Sequence, residues 1–145
     1  RILEPIMEEL GDRVEFRVND RDHQDALTQE EMVNWYDGID VFLTTGCAEG
    51  GPSQVPEAMS CGKTVIGTQS GYVNEIVTRD CGVIVGPYHD KETAAECAKS
   101  LAGVIRYLDE NRQNLVAMGV ASRKRVESGY TWEKLAPQWL GAICG

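Results

Sequence analysis

Three short apolar runs constrain this chain more than anything else in it: Asp40-Val41-Phe42-Leu43-Thr44, Thr64-Val65-Ile66-Gly67 and Gly82-Val83-Ile84-Val85. Each is continuous rather than alternating, which is the pattern of a strand covered on both faces. Helical segments at about residues 53–61 and 71–78 separate them. Buried strands alternating with helices call for a parallel sheet, and so for an α/β domain.

The flanks extend this plan. Ile2, Leu3, Ile6 and Leu10 recur at helical spacing, Pro5 is tolerable in a first turn, and Gly11 is a stop. Val14, Phe16 and Val18 alternate with Glu15 and Arg17, which predicts a half-buried strand at a sheet edge. After a polar loop, Thr28-Gln29-Glu30-Glu31 reads as a capping box for a helix ending near Asp37, before Gly38. Downstream, Asp90 caps a helix whose stripe runs from Ala94 through Leu101 to Leu108. Leu115, Met118, Ser122 and Val126 mark a weaker helix that Gly119 interrupts. A third helix, capped by Thr131, carries Trp132 and Trp139 as core or interface residues, and Pro137 predicts a kink or a late start. The expectation is one partial Rossmann-like three-layer domain over residues 1–145. It has a mostly parallel sheet of about four strands in residues 1–88 and a helical C-terminal third in residues 89–145.

Composition narrows the function classes. The net charge of −9 argues against general nucleic-acid or anionic-membrane binding, both of which need a basic surface. No apolar run approaches the roughly 18–20 residues that span a bilayer. The first residue is Arg1 rather than Met, which reads as a processed, excised or partial sequence. The five cysteines are odd in number and lack metal spacing, so free thiols in a reducing, cytoplasmic setting are expected. His23 and His89 are far apart, and no metal site is expected.

The chemistry concentrates between the first two apolar runs, in Glu49-Gly50-Gly51-Pro52-Ser53-Gln54-Val55-Pro56-Glu57. Ligands of parallel α/β sheets bind beyond the carboxyl ends of the strands. Ser53 is the expected N-cap of the following helix, with Pro56 in its first turn, and the N–H groups of Gly51, Ser53 and Gln54 can face an anion. Gly50 and Gly51 remove side chains where a ligand approaches closely. Two carboxylates beside an anion site make sense for a ligand that carries hydroxyls as well as phosphate. Glu57, one turn into the helix, suits a ribose diol, and Glu49 suits a second sugar. The implied ligand is a nucleotide diphosphate sugar.

This stretch resembles the donor-binding domain of GT-B glycosyltransferases, in particular the retaining family 4 (group 1). The resemblance rests on an ordered series. It comprises the Asp40-led strand, the Glu49/Glu57 pair, Glu57-Ala58-Met59-Ser60-Cys61-Gly62, the strand starting at Lys63, Ser70-Gly71-Tyr72-Val73-Asn74-Glu75-Ile76-Val77, and the strand from Gly82 to Gly86. Tyr130-Thr131-Trp132-Glu133 at the start of the last helix is similar too. The resemblance implies that Glu49 contacts the transferred sugar as the catalytic residue. It implies that Glu57 holds the ribose, that the backbone of Gly50, Gly51, Pro52, Ser53 and Gln54 meets the sugar and phosphates, and that Gly71 and Tyr72 line the opposite side. The donor would be a UDP- or GDP-sugar, with no cofactor and no metal. Gly51, Pro56 and Ser70 depart from the family pattern, and the choice of donor sugar stays open.

The resemblance also implies two further β–α units upstream and an acceptor-binding domain, which would supply the cations that neutralise the leaving diphosphate. An isolated chain would then be inactive and would need that N-terminal domain or a partner chain. The strand at residues 14–18 would either move beside residues 40–44, or a second copy would cover the bare edge in a homodimer. The alternative function is a non-catalytic binding or assembly module derived from the same domain.

Overall fold

The computed structural model describes residues 2–18, 27–48 and 50–144. Helix α1 (Leu3–Leu10) takes Pro5 in its first turn and ends at Gly11, whose φ of 54° favours glycine. Helix α2 (Gln29–Asp37) starts on the expected capping box. The Thr28 hydroxyl accepts from the Glu31 N–H at 3.3 Å, and the Glu31 carboxylate accepts from the Thr28 N–H at 2.8 Å. Strands β1 (Val41–Thr44), β2 (Thr64–Thr68) and β3 (Gly82–Val85) form one parallel sheet in the order β1-β2-β3. Val41 lies opposite Thr64, and Val65 opposite Gly82. Helices α3 (Gln54–Ser60) and α4 (Val73–Ile76) connect the strands. Helices α5 (Lys91–Glu110), α6 (Arg112–Gly129) and α7 (Trp132–Cys144) complete the chain.

The sheet is the middle of three layers, and the period of two along each strand decides which side chain faces which layer. Val41, Leu43, Ile66 and Val85 turn toward Ile2, Ile6 of α1, and Leu101 and Leu108 of α5. Phe42, Val65 and Ile84 turn the other way, onto Val55 and Met59 of α3, Val73 and Ile76 of α4 and Val126 of α6. Continuous apolar runs were the right signature, because both faces of the sheet are covered. Among the described residues, no helix is long and apolar enough to cross a membrane.

Two expectations are corrected and two are narrowed. Residues 14–18 do not form the edge strand, so the sheet among the described residues has three strands rather than four. Val14 and Phe16 instead pack against the apolar cluster of α1 and α5, and a cavity of about 500 Å³ separates them from β1. Gly119 does not interrupt α6. The helix runs through it and lies directly on the turn after α3, where a Cβ at position 119 would collide with the Gly62 carbonyl. Helix α7 starts at Trp132 and continues through Pro137, which excludes the late start and leaves the kink of the two expectations. Trp132 and Trp139 are 79% and 64% exposed, which excludes the core of this chain and leaves the interface of the two expectations.

Candidate functional site

Loop residues 45–48 and 50–53 follow the carboxyl end of β1, and a loop of residues 69–72 leaves that of β2. Three hydroxyls fasten the first loop. Thr68 Oγ1 donates to the Gly46 carbonyl at 2.7 Å, Tyr88 Oη to the Thr45 carbonyl at 2.8 Å, and Tyr72 Oη to the Pro52 carbonyl at 3.0 Å. Each such bond contributes about 1 kcal/mol net, and together they define a segment that no sheet ladder holds. Gly71, at φ 50°, makes the turn that carries Tyr72 back over the β1 loop. A Cβ on Gly51 would lie 2.8 Å from Tyr72 Cε1, so glycine is the residue that fits beneath this ring.

Glu57 is exposed, one turn into α3. Its Oε2 accepts a hydrogen bond from Tyr36 Oη at 3.0 Å. Its charge reaches the other tyrosine as well: burial first, and the Glu57 carboxylate second, push the Tyr72 phenol above its ordinary value of 10.0.

The structure brings Gly51, Pro52 and Tyr72 into contact, and the Glu57 charge acts on the Tyr72 phenol. Gly50, Gly51, Ser53 and Gly71 are exposed on the two loops, Gln54 is half-buried and Pro52 is buried. Ser53 occupies the N-cap position of α3, yet its backbone is helical and its side chain makes no capping bond. Glu49 lies outside the described residues. A cavity of about 350 Å³ at the end of β1 is lined by residues 42–46, Pro52 and Gln54, with no lysine or arginine among the described residues. Glu57 and Tyr72 do not line that cavity.

Sequence reasoning missed Tyr36, Thr68 and Tyr88. Thr68 had a signal, since it follows a buried strand at the end where parallel sheets bind ligands. Tyr36 and Tyr88 had none, because their partners lie far away in the chain and are set by the tertiary fold.

A parallel sheet with shaped loops at the carboxyl ends of adjacent strands is the arrangement in which doubly wound α/β domains bind ligands. The chain belongs to the glycosyl transferases group 1 family, whose pattern it matches over residues 5–103. It is 30% identical over 114 residues to a GDP-mannose-dependent monoacylated alpha-(1-6)-phosphatidylinositol monomannoside mannosyltransferase of Corynebacterium glutamicum. That match covers 74% of this chain and 28% of the relative. Sucrose-phosphate synthase from Thermosynechococcus elongatus shares the fold with a TM-score of 0.70 at 25% identity, over 97% of this chain and 32% of that one. The fold is thus that of the GT-B glycosyltransferases, and the chain spans less than a third of the length of either relative.

Proposed function

We propose that the chain is the donor-binding part of a retaining glycosyltransferase, which moves a sugar from a nucleotide diphosphate sugar to an acceptor held elsewhere. The observation that carries this reading is the fastened loop at the end of β1, with the Glu57 carboxylate held beside it on α3. In this reading Glu57 accepts hydrogen bonds from the ribose hydroxyls. The backbone of residues 50–54 meets the sugar and phosphates, Gly71 and Tyr72 form the facing wall, and Glu49 contacts the transferred sugar. The cations that neutralise the diphosphate come from an N-terminal acceptor domain or a partner chain. The described cysteines are free thiols, in keeping with a cytoplasmic setting. The family match does not favour the alternative of an assembly module. A curated relative is named for GDP-mannose, which makes a GDP-sugar the first donor to try and a UDP-sugar the second.

Isothermal titration calorimetry with GDP- and UDP-sugars tests the reading. The wild-type chain is expected to bind one of them. Glu57→Ala is expected to weaken that binding roughly ten- to a hundredfold, the loss of one hydrogen bond to a charged group. Absence of binding at millimolar donor, or binding that Glu57→Ala leaves unchanged, would overturn the assignment.

A further inference from the structure

Glu57 is tied down by a residue that the family pattern did not bring into the site. Tyr36 is 2% exposed, and its ring sits edge-on to Trp35 and Phe42, with centroids 5.3 Å and 5.9 Å away. Its hydroxyl lies 3.0 Å from Glu57 Oε2 and 3.5 Å from the Gln54 carbonyl oxygen. A rigid, buried phenol on α2 therefore reaches out to an exposed carboxylate on α3.

We propose that Tyr36 is the positioning residue for Glu57: it holds one carboxylate oxygen and so presents the group to the vicinal hydroxyls of a ribose. This rests on the reading of Glu57 given above. An untethered glutamate on a helix surface loses rotamer freedom when a ligand binds, and that loss weakens binding. The Tyr36 hydroxyl removes part of the freedom before the ligand arrives. It does so without using up the carboxylate, which has about four lone-pair sites and gives one to the phenol. The Gln54 carbonyl, beside the same hydroxyl, links the tether to the first residue of α3 and so to the end of the β1 loop.

Tyr36→Phe removes the hydroxyl and keeps the ring against Trp35 and Phe42. The test is binding of GDP and UDP, each compared with its 2′-deoxy counterpart, to wild type, Tyr36→Phe, Glu57→Gln and the double variant. Wild type is expected to prefer the ribose form. Tyr36→Phe is expected to reduce that preference by roughly three- to tenfold, the size of one net hydrogen bond. In the double variant, the Tyr36 change adds nothing to the effect of Glu57→Gln. A merely structural tyrosine would weaken ribose and deoxyribose forms alike. If Tyr36→Phe keeps the wild-type preference while Glu57→Gln loses it, the positioning role is overturned and the ribose site stands. If wild type shows no preference, or Glu57→Gln retains it, the ribose site falls and the positioning role with it. Should Tyr36→Phe fail to fold, the Tyr36 ring resonances of the wild type carry the test. They shift with nucleotide occupancy if the tether belongs to the site, and unchanged resonances would overturn the proposal.

Discussion

Gly51 and Tyr72 form a complementary pair: the missing side chain of one makes room for the ring of the other, and the ring's hydroxyl then reaches the Pro52 carbonyl. The environment of this phenol can be titrated. Burial and the Glu57 charge raise it above 10.0, so the folded chain holds the proton more tightly than the unfolded one. The stability this contributes is fully present below the unfolded value and is lost as pH rises through the raised folded value. Glu57→Gln removes the smaller cause and leaves burial. Titration of the phenolate by its ultraviolet absorbance is therefore expected to move downward while staying above the ordinary value. No movement would mean that the two side chains are not neighbours. At this scale the sequence was half legible. Gly51 and Tyr72 drew notice by their place on the two loops between buried strands, Gly51 as a departure from the family pattern. Tyr36 and Tyr88 did not, since nothing local marks a tyrosine whose hydroxyl reaches a distant loop.

Among the elements, α6 explains why one helix looked weak in the sequence. Besides burying Leu115 and Val126, it docks through polar and backbone contacts. Thr64 Oγ1 donates to the Leu115 carbonyl at 2.9 Å, Ser122 Oγ donates to the Cys81 carbonyl at 3.0 Å, and Gly119 lies against the Gly62 backbone. An apolar stripe cannot reveal a face built in this way. Helix α5, which buries Ala94, Leu101 and Leu108, was legible throughout. The strands were legible for the same reason, because burial on both faces leaves a continuous apolar run. The alternation at residues 14–18 misled, because Val14 and Phe16 are half-buried by α1 and α5 rather than by strand pairing. For α6 the consequence is specific. Gly119→Ala forces backbone apart from backbone and is expected to destabilise the chain by about 1–3 kcal/mol, as overpacked sites do. A urea unfolding midpoint checks it. An unchanged midpoint would mean that α6 does not rest on the turn at Gly62.

For the whole molecule, the loops proposed to bind the donor lie together at the carboxyl ends of β1 and β2. Among the described residues, two other surfaces are uncovered. The outer edge of β1 has no neighbouring strand among the described residues, and α7 exposes Trp132, Trp139, Leu140 and Ile143. The parallel sheet and its helical layers could be read from the residues alone. What fills the edge could not, because strand pairing depends on a partner that the pattern of the strand itself does not name. Donor recognition is assigned by the proposal to the β1 and β2 loops, and amide chemical-shift mapping checks that assignment residue by residue. The chain is titrated with a GDP- or UDP-sugar, and the shifted amides are placed on the fold. The expected result is a contiguous set at residues 50, 51, 53, 54, 57 and 71–72, with Tyr36 and Tyr88 at its margin. Shifts confined to the groove between α6 and the turn at Gly62, or no shifts at saturating sugar nucleotide, would contradict it.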